Sequence, residues 1–178
     1  VLIKEQGNKF LIDAYGAVPF ELELDKKKGQ LIGALISITF VSESVYELKI
    51  TFENSSVPLI HYADASRSTT NVAVGEFKKR FKVGQEVVLP FLNWRLNIKD
   101  NPSFYKGNEY FVRFNDFDGT VSNYKGIGVR ADDKGGSVLT LSMQGTNKAR
   151  LVDYLNATVK MLIKRQLDSK NQFATNTI

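Results

Sequence analysis

The sequence predicts an α+β fold, in which a β-rich, sandwich-like module is inserted into an α+β base of order strand, helix, strand, strand, long helix. Three observations carry this. Apolar residues alternate with polar ones at period two through the first hundred positions, the mark of strands with one buried face. After residue 105 the pattern changes to short strands around a short helix. From Asn147 onward apolar residues recur at three- and four-residue steps, as one face of a helix requires. The implied division is residues 1–13 as the N-terminal strand of the base, 14–105 as the β-rich module and 106–178 as the remainder of the base.

In order along the chain, Val1 to Gln6 reads as a strand, and Gly7-Asn8-Lys9 leads almost directly into Phe10 and the β region. Phe20, Leu22 and Leu24 alternate with Glu21, Glu23 and Asp25, and Lys26-Lys27-Lys28-Gly29 forms a charged turn. Ile36, Ile38 and Phe40 share one face. Tyr46, Leu48, Ile50 and Phe52 share another, and the Ser42-Glu43-Ser44 link joins the two runs as an antiparallel hairpin. Phe77 and Phe81 flank Lys78-Lys79-Arg80, read as a turn that also holds Lys82, while Trp94, Leu96 and Ile98 give one face of a later strand. This is the pattern of a β-sandwich or small jelly-roll-like module. Beyond the turn at Asp100-Asn101-Pro102 come a strand over 110–115, a short helix started by Asp116 and a strand over 127–131. Asp133-Lys134-Gly135-Gly136 makes a hairpin turn into a buried strand over 138–143. The Gly145-Thr146-Asn147 break supplies Thr146 or Asn147 as N-cap. A helix from there to the end spans on the order of 45 Å at ~1.5 Å per residue. Its apolar stripe runs Val152, Leu155, Val159, Leu162/Ile163 and Leu167; the first half, Val152, Leu155, Val159 and Leu162, is expected to pack on the strands over 110–114 and 138–143, with the polar end beyond Leu167 projecting.

With 178 residues, 43% of them hydrophobic and 24% charged, the chain is long enough for one good core or two small ones. It contains no cysteine, which removes disulfides, thiolate metal sites and cysteine nucleophiles together. No apolar run reaches the ~18 residues needed to cross a bilayer. The formal charge of +5 suits an acidic polymer or anionic headgroup as partner. Lys160, Lys164 and Arg165 on the last helix are the candidate contacts with a polyanion or glycan, although basic side chains there also serve simply as a solvated face. No zinc-finger, helix-turn-helix or aromatic-interleaved pattern points to nucleic acid.

Candidate chemistry is sparse. Asn115-Asp116-Phe117-Asp118-Gly119 has carboxylates two apart before a glycine, but an EF-hand register would place Phe114 first and Lys125 last, so Asp116 is read as a helix cap. His61 is the lone histidine and is read as structural. There is no phosphate-binding loop, nucleophile elbow or zinc-binding helix motif. No catalytic, cofactor-binding or metal-ligating residue is assigned, and the segment is expected not to be an enzyme.

The stretch from Ser137 to Ile178 resembles the end of the periplasmic domain of chain-length determinants, the Wzz-type polysaccharide co-polymerases, including Wzc-type members with a cytoplasmic tyrosine autokinase. The resemblance lies in a strand, a small polar turn at Gly145 and Asn147, and a long helix with the Leu155-Asn156 pair. A Lys-Asn-Gln-x-Ala-x-Asn-Thr signature follows at Lys170, Asn171, Gln172, Ala174, Asn176 and Thr177. It is strong from Tyr110 on and looser before. The resemblance implies a non-enzymatic domain on the periplasmic face of the bacterial inner membrane, held there by flanking spans outside this chain. Its copies would form a ring that sets the length of an O-antigen, capsular or exopolysaccharide made by a separate polymerase. The partners implied are other copies, that polymerase and the growing glycan, with no cofactor. A different class, a carbohydrate-binding or adhesin-like β-sandwich, would instead present exposed aromatic platforms such as Trp94 and Tyr62.

Overall fold

The computed structural model describes residues 1–4, 10–99, 108–131 and 138–175, with side chains to Gln172 in the last helix. Within them the chain forms fourteen strands in four sheets and two helices. It divides into two compact units, Val1–Asn123 and Tyr124–Ile178.

The first unit carries β1 (Leu2–Lys4), β2 (Ile12–Asp13), β3 (Phe20–Leu24), β4 (Gln30–Leu31), β5 (Ile36–Ser42) and β6 (Val45–Phe52). It continues with β7 (Ser56–His61), β8 (Ser66–Asn71), β9 (Gly75–Lys82), β10 (Glu86–Leu89), β11 (Leu92–Ile98), β12 (Glu109–Val112) and α1 (Phe117–Asn123). One antiparallel sheet runs β2-β1-β12-β5-β6-β9, and two three-stranded sheets run β10-β11-β3 and β4-β7-β8. The second unit holds the hairpin β13 (Gly128–Ala131) and β14 (Leu139–Ser142), followed by α2 (Lys148–Thr175).

The expected α+β class is therefore corrected to a β-rich fold. β1 and β12, assigned from sequence to a separate base, pair with each other, and β12 pairs in turn with β5 of the supposed insertion. Tyr110 and Val112 alternate inward as regularly as the strands before them, so burial draws β12 into the same core. Residues 5–9, 100–107 and 132–137, which include the Gly7-Asn8-Lys9 lead and two predicted turns, lie outside the described residues.

The core is the meeting of the alternating faces read from sequence. Ile38 faces Leu48 and Phe40 faces Tyr46 across the β5–β6 hairpin, and Tyr110 stands opposite Ile38 on the other side. These pack in one cluster with Phe20, Val87, Leu92, Trp94 and Leu96 of the β10-β11-β3 sheet and Leu31, Val57 and Leu59 of the third. Each fully buried aliphatic side chain contributes about 2 kcal/mol by leaving water, and a one-residue slip of any strand would turn its set outward. The Lys78-Lys79-Arg80 run is strand, not turn. Within β9, Lys78 and Arg80 reach Glu47 on β6 at 2.9 and 3.2 Å, and the Lys79 ammonium lies 5.5 Å from the centre of the Phe81 ring. The Lys78 hydrogen bond above all, reinforced by Arg80, holds the Glu47 carboxyl below its ordinary range against a smaller opposing effect of burial.

Two buried polar contacts fix how the sheets meet. Gln30 on β4 is fully buried, and its side-chain amide copies one rung of a ladder: Nε2 donates to the Asn93 carbonyl (2.8 Å) and Oε1 accepts from the Asn93 N–H (3.0 Å). Asn93 returns the contact, its Nδ2 donating to the carbonyls of Gly29 and Leu89, both at 3.1 Å. Gly29 leaves room for Leu59 beside this pair, since a Cβ there would stand 2.7 Å from Leu59 Cδ1 and oblige that side chain to shift. Second, Trp94 Nε1–H donates to the Tyr46 hydroxyl at 3.2 Å inside the core. Burial pushes the Tyr46 phenol up to about 12, the Trp94 hydrogen bond working the other way.

Gln30→Leu keeps the volume but leaves the Asn93 N–H buried without its partner, while the Asn93 carbonyl keeps only the Asp25 N–H, and is expected to cost about 2 kcal/mol in urea unfolding. A loss below about 1 kcal/mol would show the amide pair to be dispensable. For Tyr46 the folded value lies above the unfolded one, so its contribution is complete below pH about 10 and drains away as pH rises from there through about 12. Ultraviolet titration compared with Tyr46→Phe should show Tyr46 ionising only as the fold is lost, with the unfolding midpoint dropping over that window.

Candidate functional site

The last helix is the element that carries the resemblance. Its start is set by Asn147, whose Oδ1 accepts the Arg150 N–H at 3.0 Å while its carbonyl takes the first helical bond from Leu151 N–H at 3.1 Å. Of the two capping residues open from sequence, Asn147 is the one used. Gly145 precedes it where a Cβ would stand 3.0 Å from Leu151 Cδ2, so the turn closes on the helix's first apolar residue. The helix then runs for 28 residues without a Gly or Pro.

The packed stripe is not the one expected. The half-buried positions are Arg150, Leu151, Tyr154, Leu155 and Thr158, the last four at helical spacing. Tyr154 stacks on Tyr124 with ring centres 4.8 Å apart and donates its hydroxyl to the Tyr124 carbonyl at 3.1 Å. Arg150 Nη1–H donates to the Tyr124 hydroxyl at 3.2 Å. Val152, Val159 and Leu162, predicted core, are 45, 42 and 46% exposed, and Ile163 and Leu167 are exposed as well. The aromatic pair decides the rotation: Tyr154 satisfies its hydroxyl and buries its ring only if its own face, not that of Val152, turns inward. The strand over 138–143 was likewise expected to be buried, yet Val138 and Leu139 are exposed. Among the described residues from Tyr124 on, none is fully buried.

Of the resemblance's residues, Gly145 and Asn147 shape the turn, Leu155 is half-buried, and Asn156, Lys170, Asn171 and Gln172 are exposed. Ala174 lies in the helix beyond the described side chains, and Asn176 and Thr177 lie outside the described residues. Lys160 and Lys164 are exposed one turn apart on the side away from the Leu151–Thr158 stripe. Arg165 is exposed but turned about 100° from Lys164. The first two form a cationic row, and the third does not join them.

His61 uses both ring nitrogens, Nδ1 at 3.0 Å from the Lys27 carbonyl and Nε2 at 2.9 Å from Ser68 Oγ, and so fastens β8 to the 25–29 turn. Asp116 caps α1 through the Gly119 N–H (2.6 Å) and pairs with Arg67 of β8. Trp94 is only 2% exposed and Tyr62 is half-buried, its hydroxyl given to the Asn115 carbonyl at 2.8 Å, so neither is an open aromatic platform. Among the described residues no group of three His, Asp or Glu side chains could hold a metal, and no helix is long and apolar enough to cross a membrane. Comparison of the chain with family models, with curated protein sequences and with solved structures finds no match.

The contrast between the two helix faces is measurable. Tyr154→Ala removes the stacked ring and its hydrogen bond and should cost roughly 2 kcal/mol of helix stability. Val159→Ser should stay within about 0.5 kcal/mol of the parent. Denaturation followed by far-ultraviolet circular dichroism checks both, and equal losses would contradict the assignment of faces.

Proposed function

We propose that the chain is the periplasmic domain of a bacterial inner-membrane polysaccharide co-polymerase, which controls the chain length of a capsular, exopolysaccharide or O-antigen polymer by assembling into a ring. The observation that carries this is the 28-residue helix whose apolar residues Val152, Val159, Leu162, Ile163 and Leu167 are exposed, on a unit with no fully buried residue among those described. A helix that keeps such a face in water gains stability when another surface covers it. A neighbouring copy in a ring supplies that surface. The resemblance over Gly145 to Thr177 points the same way, whereas the β-rich fold departs from the α+β base that the resemblance led one to expect. The support therefore comes from the helix and its signature. In this reading the domain is not catalytic, and any tyrosine kinase activity belongs to a cytoplasmic part of the parent protein.

The test is made in the parent protein in its own cell. Val159→Asp combined with Ile163→Asp should leave the protein expressed and membrane-associated but broaden or shorten the polymer length distribution on a gel, with fewer oligomers after cross-linking. An unchanged distribution would overturn the proposal. So would a parent reading frame without apolar runs of about twenty residues on either side of this segment.

A further inference from the structure

The outer face of the six-stranded sheet, the side away from the core, holds a groove of about 490 Å³ within the first unit. Its floor is two cross-strand rows. Phe111, Ser37 and Lys49 stand in register across β12, β5 and β6, and one step along lie Arg113, Leu35 and Thr51. One wall is the 32–34 segment, fastened beside Arg113 by the Gly33 N–H donating to the Phe114 carbonyl at 3.0 Å, with Gly33 at φ +82°. The other is the 52–58 segment, which brings Glu53 and Asn54 to the rim.

The charges in this groove differ from those beside it. Lys78 and Arg80, on the next strand, both pair with Glu47. Lys49 and Arg113 form no ion pair among the described residues. They stand on strands two apart, about 10 Å laterally at ordinary strand spacing, so that two long cationic side chains border one cavity. Beside Arg113 the half-buried Phe111 offers an apolar surface, and Thr51, Asn54 and the Glu53 carboxylate offer groups that hydrogen-bond hydroxyls. Ser37 is already committed, donating to Glu109 at 2.6 Å. Glu53 stands at the rim and Glu109 is taken up by Ser37, while Lys49 and Arg113 pair with neither and remain available to an anion. Such a site discriminates against a neutral ligand and favours a polyhydroxylated one that carries its own carboxylate.

We propose that this groove binds a uronic-acid residue of an acidic polysaccharide, with Lys49 and Arg113 on its carboxylate, the ring against Phe111, and Glu53, Thr51 and Asn54 on its hydroxyls. This rests on the reading of the chain as a glycan-facing domain and names the class of glycan.

The probes are trimers of galacturonate, mannuronate and guluronate, with neutral galactotriose and inorganic phosphate as controls, titrated into the 178-residue chain and followed by amide chemical shifts and calorimetry. At least one uronate trimer should bind and shift the amides of 33–37, 49–54 and 111–113. Lys49→Gln and Arg113→Gln should each weaken it about tenfold, with the thermal midpoint unchanged, while Lys99→Gln at a distant exposed position should leave it as it was. The proposal is overturned if no uronate binds, if galactotriose binds equally well, or if the shifts map elsewhere. It also fails if phosphate displaces the trimer at equal concentration, which would make the groove a plain anion site. Failure here alongside an altered polymer length for the helix variants would remove the groove but keep the co-polymerase assignment, and the reverse pattern would do the opposite.

Discussion

The buried amide pair of Gln30 and Asn93 is the constraint on which the first unit depends. Apolar alternation makes the strands and gives each a sticky face, but apolar contact is non-directional and does not say which edge of one sheet meets which edge of another. The Gln30 side chain does say it. Its donor and acceptor match the Asn93 carbonyl and N–H at 2.8 and 3.0 Å, and the Asn93 side chain answers on Gly29 and Leu89. With both residues out of water, any other arrangement would strand several polar groups in a low dielectric, so the pair acts through the penalty on alternatives more than through its own net strength. Leu31 N–H to the Phe91 carbonyl at 2.9 Å then continues the seam.

Holding the inner faces in this way leaves the outer face of the β2-β1-β12-β5-β6-β9 sheet as a fixed platform. Side chains two residues apart on a strand, and directly opposite on neighbouring strands, keep their spacing because the register cannot slip without turning Ile36, Ile38 and Leu48 into water. Charges placed on that platform are therefore set at known separations by the core beneath them. Around Glu47 two cations share one carboxylate, whereas Lys49 and Arg113 form no ion pair among the described residues.

The second unit obeys a different rule. Its helix is secured by local devices, the Asn147 cap and the Tyr124–Tyr154 stack, with no buried core of its own among the described residues. A long helix held this way draws little tertiary stabilisation from its own unit, so it gains when an outside surface covers its exposed Val, Leu and Ile residues. That suits association between copies.

The sequence by itself determined what is local and periodic: β3, the β5–β6 hairpin, the inward face of β11, the cap of α1 by Asp116 and the start of α2 at the polar turn. Each follows from spacing within a few residues. It did not announce β8, whose Ser66 to Asn71 run is polar on both faces because it is an edge, nor that Lys78 to Arg80 lie in a strand answered by a carboxylate on another. Nor did it reveal the Gln30–Asn93 seam, which joins residues 63 positions apart. Tertiary structure alone decided that β1 and β12 belong to the sandwich sheet, that Tyr154 rather than Val152 turns inward, and that Lys49 and Arg113 border one groove. The physical reason is the same in each case. Periodicity fixes which residues share a face, but which surface meets that face is settled by hydrogen-bond partners and burial supplied from distant parts of the chain.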